Sequence, residues 1–410
     1  MERTVYHWST LLFIQPTTMI SSHRYSNITP EEDPVDFEYL ESFYREVSSW
    51  IIAYYYRASL HGFDNIPKSG PVILASNHSG NAFPHDSFVL DQLLWQEGGF
   101  GVNAKIKPLY SPKLAVNWWM RPFGLDNWWR KFGAVDQTYI NFDRMLARGG
   151  RMIYYPEGIP GIGKGFNRRY QLQRFQPSFV KLASRYNVPV VPVYGVNAEW
   201  INPANFTFRR LDFLSNRILG IPFLPVPLFI LAVIFPFFFY FGFPCNMKFF
   251  VGKPISIRDE SAHGNSHSNN ELNREEAESI AEHIRKKMQK ELNELTVEHG
   301  LRPYDFASFF QAFRRLKKRR WITSPFGWPI LFTRHYRDFH DRKAKRNITS
   351  RWMRDWDLIG YYLPFGWIFL ALFRKLRKPP YGSRGLSKVE KMRKEGSFVW
   401  SIARESDTNS

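Results

Sequence analysis

At 410 residues, with 44% hydrophobic and 23% charged side chains, the chain is too long for a minimal module and ordinary enough in composition to fold around one large core or two. A single cysteine, Cys245, excludes an intramolecular disulfide, and 11 scattered histidines without a second cysteine give no metal-ligand spacing, so no metal and no oxidising compartment are expected. The net charge of +19 is uneven: residues 301–410 hold 25 basic and 9 acidic side chains, leaving only +3 for the preceding 300 residues.

Residues 1–36 read as irregular, and the apolar patch Leu11–Ile14 stops at Gln15 and Pro16, too short for a secretion signal. Phe37 to Tyr56 is an aromatic-rich amphipathic run with helical spacing and a candidate membrane seat. The turn-rich stretch Gly62–Gly70 leads into the buried strand Pro71–Ser76, which stops at Asn77-His78-Ser79-Gly80 before helical spacing resumes around Phe88–Trp95. A second strand, Arg151–Tyr155, ends at Pro156-Glu157-Gly158 and a glycine-bearing loop to Phe166. A third unit has a helix around Phe179–Tyr186 and the strand Val188–Tyr194. Strand, polar loop and helix in alternation predict an α/β fold, a mostly parallel central sheet flanked by helices.

Residues 218–247 are 30 residues without a charge, longer than the roughly 20 needed to cross a bilayer. Pro222, Pro225, Pro227, Pro236 and Pro244 break the run, so it reads as a helical hairpin or re-entrant segment rather than a clean span. After the strand Met247–Val251, residues 261–270 have linker composition. A long helix follows, with Ile280, Ile284, Met288, Leu292 and Leu295 on one stripe, as ordinary core packing requires. Beyond residue 300, Phe306, Phe309, Phe310, Phe313 and Leu316 fall at helical spacing, and Arg314–Arg320 add six positive charges. Leu358–Phe373 is a 16-residue uncharged aromatic run broken by Pro364 and Gly366, short for a span and suited to an interfacial insertion. The tetrapeptide Pro-Phe-Gly-Trp occurs twice, at 325–328 and 364–367. Basic residues interleaved with aromatic runs fit an anionic membrane surface better than a nucleic-acid duplex, so no nucleic-acid partner is expected.

The domains expected are an irregular segment 1–36, an α/β domain 37–300 containing the apolar segment 218–247, and a basic, aromatic-rich, membrane-associated helical extension 301–410. Localisation at a membrane, with the α/β domain on the cytoplasmic side, follows as an expectation.

His78 at a strand end with Asp86 beyond it can form a base and its orienting carboxylate. An imidazole titrates near neutral pH, and a carboxylate on one ring nitrogen fixes the tautomer and stabilises the imidazolium. A histidine and an aspartate eight positions apart carry little alone, since a loop histidine is more often a surface or capping residue. Four blocks in order do more: "ILASNHSGNAFPHD", "FGAVD", "IYYPEGIPG" and "VPVVPVYG". Together with "HGFDNIPKSGP" before and "FVGKPI" after, over roughly residues 50–300, they resemble the glycerolipid and lysophospholipid O-acyltransferase family, of the 1-acylglycerol-3-phosphate acyltransferase type.

The resemblance implies an α/β sheet domain with membrane-contacting helices, and acyl transfer from acyl-CoA or acyl carrier protein to a lipid hydroxyl without a bound cofactor. It makes His78 the general base and Asp86 its partner. Asn77, Ser79 and Gly80 flank them, Gly133 matches the second block, Glu157 and Gly158 the third, and Pro192 the fourth. Lys164 and Arg168, in the glycine-bearing loop with Arg169, are candidates to meet an anionic group of donor or acceptor; a solvated loop is the plainer reading. Two departures matter. Seven residues separate His78 from Asp86 where the family usually has four, and His85 places a second imidazole nearby as a candidate base. Pro160, and Gln137 with Thr138, stand where phosphate-binding arginines are common, and neither site can grip a phosphate bidentately. Arg144, Arg168 or Arg169 would have to substitute, or the acceptor is a neutral lipid such as a diacylglycerol or long-chain alcohol. A non-catalytic lipid-holding scaffold is the reading outside enzymology.

Overall fold

Four consecutive apolar residues, Val72–Ala75, closed by Ser76 before a polar loop, put the strand Val72–Ser76 at the centre of the sheet, with every residue buried. In the computed structural model, which describes residues 35–79, 83–100, 104–111, 128–219, 223–262, 272–316, 321–343 and 351–376, this strand (β2) belongs to a seven-stranded sheet. The others are β1 (Ser59–His61), β3 (Lys107–Tyr110), β4 (Val135–Asp136), β5 (Arg151–Tyr154), β6 (Val190–Val196) and β7 (Lys248–Val251). Their order is β1-β7-β6-β2-β5-β3-β4, and every pairing is parallel except β6 with β7. The mostly parallel, helix-flanked sheet expected from the sequence is therefore present. Unbroken apolar runs suit strands covered on both faces.

Alternation along β2 divides the core in two. Val72 and Leu74 pack on one side with the N-terminal helix and the helix His85–Glu97, while Ile73 and Ala75 pack on the other with the helices Ser178–Arg185 and Arg274–His299. The last helix is started by a capping box between Asn273 and Glu276. It buries Ala277, Ala281, Ile284, Met288 and Leu292, with Ile280 and Leu295 only at the margin of the cluster.

Phe37–Phe43 is α-helical and continues through two π-helical turns, Tyr44–Ser48 and Ile51–Tyr55. Its apolar side, from Tyr39 and Phe43 to Ile52 and Tyr56, is buried against protein rather than seated in a membrane. No helix among the described residues is long and apolar enough to cross a membrane. The described part of the apolar segment is cut, as its prolines require, into the seven-residue helix Leu228–Ile234 and the 3-10 turn Pro236–Tyr240. Phe239, Tyr240, Cys245 and Met247 join the core, while Ile230 and Phe243 remain exposed. Most of the linker expected at 261–270 lies outside the described residues.

In the C-terminal part, Ile322, Trp328, Phe332, Leu358, Tyr361 and Leu370 pack into the same core as β2. Both copies of the repeated tetrapeptide introduce helices, Trp328–Lys343 and Gly366–Leu376. The second helix is 11 residues long, and Leu358–Phe373 breaks just before it.

Candidate active site

β2 lies between β5 and β6, so the loop leaving it emerges mid-sheet. Asn77 fixes that exit: its Oδ1 accepts from the Gly195 amide at 2.7 Å and its Nδ2 donates to the Gly195 carbonyl at 3.2 Å. Asn77 thus binds strand to strand, and it does not line the cleft described below. His78 follows. Its backbone amide donates to Glu157 Oε1 at 3.0 Å, and its ring stacks on Tyr155 with centroids 3.8 Å apart.

Asp86 sits in the first turn of the helix His85–Glu97, where the helix dipole favours a negative charge. Its Oδ2 lies 3.1 Å from His78 Nδ1 and accepts from the Ser79 amide at 2.9 Å. Burial pushes the Asp86 carboxyl up, but the His78 ring and the Ser79 and Ser87 amides outweigh it and hold the group below the usual carboxylate range. The seven-residue spacing thus still delivers the carboxylate to the imidazole. With Nδ1 engaged, Nε2 is the ring nitrogen left for a substrate.

His78 lines a cleft of about 770 Å³, open mouth included. The rest of its wall is mostly apolar, including Phe88, Leu109, Trp129, Phe132, Ile159 and Ile162, with Ser87, Asp91 and Gln137 as polar points. Gly158 also lines it, at φ 58° and ψ −145°, a conformation open essentially to glycine alone. Gly133 does not reach the cleft. It turns the chain at φ 78° between Phe132 and Ala134, which do, and a Cβ there would come within 2.9 Å of Val35. Gly80 lies outside the described residues.

Glu157 works behind the histidine. Fully buried, it holds the His78 amide with Oε1 and the Gln173 amide with Oε2, the latter at 2.7 Å. Lys164 is buried as well, 3.0 Å from Glu199 Oε1 and 3.9 Å from Glu157 Oε2. The plainer reading of a solvated loop and the reading of an open anion site both give way here: two carboxylates take up the ammonium charge. Burial alone would lower the Lys164 pKa, but Glu157 and Glu199 raise it above its ordinary value, whereas burial pushes Glu199 up to about 7 against the pull of Lys164.

Arg168 is spent on structure, donating to the Lys164 carbonyl at 2.8 Å and to Thr207 Oγ1 at 2.7 Å. Arg169 stacks over Phe166 and Trp200, and Arg144 is exposed on the helix Tyr139–Ala147, so none of the three substitute arginines lines the cleft. His85, the other candidate base, turns away from the cleft to Tyr56 OH at 2.9 Å, and burial lowers its pKa to about 3.

Sequence reasoning missed Glu199, which follows Asn197 at positive φ in a 3-10 turn. It also missed the buried ion pair of Asp91 with Lys105, whose aspartate lines the cleft. Asp91 stands in the run Phe88–Trp95 with no pattern to single it out, and Lys105 lies far along the chain.

A family model described as Acyltransferase matches residues 57–196, the span holding β2, the His78–Asp86 pair and Glu157. Uncharacterized proteins of Mycobacterium bovis and Mycobacterium tuberculosis are each 31% identical over 180 residues, covering 43% of this chain and 47% of theirs. A Mycobacterium leprae protein is 30% identical over the same length. The chain thus spans about half the length of the relatives it matches. A crystal structure of 1-acyl-sn-glycerophosphate acyltransferase from Thermotoga maritima superposes with a TM-score of 0.35 at 16% identity, covering 62% of this chain and 79% of the other. The likeness to the acyltransferase family thus rests on residues 57–196.

Proposed function

We propose that the protein moves a fatty acyl group from a thioester, acyl-CoA or acyl carrier protein, to the hydroxyl of a lysophospholipid or related glycerolipid. The observation that carries this reading is His78, held by Asp86 behind it, in the wall of a mostly apolar cleft. His78 Nε2 takes the proton of the acceptor hydroxyl as the oxygen attacks the thioester carbonyl. The C–S bond breaks, and the proton passes from the imidazolium to the departing thiolate. Asp86, held ionised, fixes the tautomer and stabilises the imidazolium. The apolar wall suits the acyl chain. The thioester is already activated, so the protein need not form a covalent intermediate.

The expected place of work is a membrane surface, cytoplasmic side, with the basic C-terminal extension facing anionic lipid. A neutral-lipid acceptor is the second reading, favoured by Pro160 in the third block and by the engagement of Arg168 and Arg169 with protein groups. Labelled acyl-CoA supplied with lysophosphatidate, lysophosphatidylcholine, diacylglycerol and a long-chain alcohol in turn separates these readings. Product on a lysophospholipid supports the first, product on diacylglycerol or the alcohol alone the second. No product on any acceptor leaves only a lipid-holding scaffold.

A further inference from the structure

The helix Arg209–Leu219 is inside out for a globular surface. Its inward contacts are polar: Ser215 is buried, and Asp212 is half-buried, accepting from the Leu224 amide at 2.8 Å. Four of its large apolar side chains point to solvent, Leu211 being 39%, Phe213 66%, Leu214 50% and Ile218 65% exposed. Phe208, just before it, is 53% exposed. An ordinary surface helix turns its apolar residues to the core and its polar residues outward.

The outward face is also charged in one sense. Arg209, Arg210 and Arg217 are exposed among the apolar side chains, and Asp212, the only acid in the helix, faces the protein, where Arg168 attracts it. Apolar side chains interleaved with arginines fit the boundary between headgroups and acyl chains, where the rings and aliphatic groups sink and the guanidiniums stay at the phosphates.

We propose that Arg209–Leu219 is an in-plane anchor that seats the protein on an anionic bilayer. The anchor is tied to the cleft. Just before it, Asn205 accepts from the Phe166 amide at 2.6 Å, and Thr207 bonds both Arg168 and the Lys164 carbonyl. These partners continue directly from Ile159–Ile162, the short helix that lines the cleft. Lipid docking therefore reaches the cleft wall through one continuous, hydrogen-bonded segment. Docking by this helix does not depend on acyl transfer at His78.

The full-length chain is tested by co-sedimentation with phosphatidylcholine vesicles containing roughly one-third phosphatidylglycerol, and with phosphatidylcholine alone. The F213S/L214S/I218S variant is expected to partition at least about tenfold more weakly on the anionic vesicles. The R209Q/R210Q/R217Q variant is expected to lose about tenfold on the anionic vesicles and little on the neutral ones. An F213S/L214S/I218S protein that binds like its parent overturns the proposal.

The basic C-terminal region can hold a chain on a bilayer by itself, so a second readout follows position 214 directly. Cys245 is the chain's one cysteine and is buried, so L214C takes a single environment-sensitive fluorophore. Its emission should move to the blue on adding anionic vesicles and be quenched by lipids carrying a spin label just below the headgroup. Unchanged emission overturns the proposal. So does a blue shift that grows with protein concentration in the absence of lipid, which would make a second copy of the chain the occupant.

Discussion

Two clusters of buried charge can be set side by side. Behind the cleft, one lysine, Lys164, serves two glutamates, Glu157 and Glu199, and Glu157 in turn holds the backbone of His78. In the C-terminal helices, Arg337 bridges Asp355 and Asp357 at 2.9 and 2.7 Å, while Arg354 holds Asp338, Asp341 and Asp355. Arginine keeps its charge at any working pH and grips carboxylates with a fixed fork. Burial pushes Asp355 up, but Arg354 and Arg337 hold it below its usual range. Burial pushes Glu199 up to about 7, and the one ammonium it shares with Glu157 does not bring it back down. One cluster is a staple whose charges stay fixed. The other contains a group that changes protonation near neutral pH, beside residues that position the proposed base.

The largest expected effect breaks the catalytic half of this comparison. Asp86→Asn should lower acyl transfer by about 10²–10⁴-fold while the near-UV circular dichroism stays native. Because the Asp86 pKa is depressed in the fold, its contribution to stability is present above the ordinary value of 3.8 and lost as pH falls further. Acid unfolding of Asp86→Asn should therefore lack that part of the parent's slope; an identical slope would remove the ion pair from the account.

Next, Arg337→Met removes the guanidinium that bridges Asp355 and Asp357, leaving Asp355 to Arg354, and should destabilise the fold by about 3 kcal/mol in urea titrations. Activity per folded molecule should hardly move. A selective loss of rate with full stability would mean that the C-terminal cluster belongs to the site.

A smaller, pH-dependent effect is expected at Glu199. Its raised pKa means that the folded protein binds the extra proton, so stability falls as pH rises from about 4.5 to about 7. Glu199→Gln should flatten urea midpoints across that window; unchanged curvature would place the titration elsewhere. The smallest effect is kinetic: His85→Gln, whose ring faces Tyr56, should leave the rate of acyl transfer near the parent's. A loss as deep as that of Asp86→Asn would move the base from His78 to His85.

The central strands were legible because burial on both faces demands unbroken apolar runs, as in Val72–Ser76 and Val190–Val196. The His78–Asp86 pair, a faint signal by itself at a strand end, was legible through the four ordered blocks that resemble the O-acyltransferase family. Lys164 was not: glycines around a lysine read as solvent, and the burial comes from Glu199, which is distant in sequence. The uncharged segment 218–247 shows a related limit. Hydropathy counts apolar side chains without saying what covers them, and here Phe239 and Tyr240 meet protein while Ile230 meets solvent. Arg209–Leu219 gave no signal because composition does not tell which side of a helix turns inward; only the burial of Ser215 beside the exposure of Phe213 does.

The most direct test of the account is the rate of labelled acyl transfer by His78→Ala against the parent, with both proteins shown to be folded. The variant is expected to lose at least about 100-fold. A His78→Ala protein that forms product as fast as the parent would contradict the account.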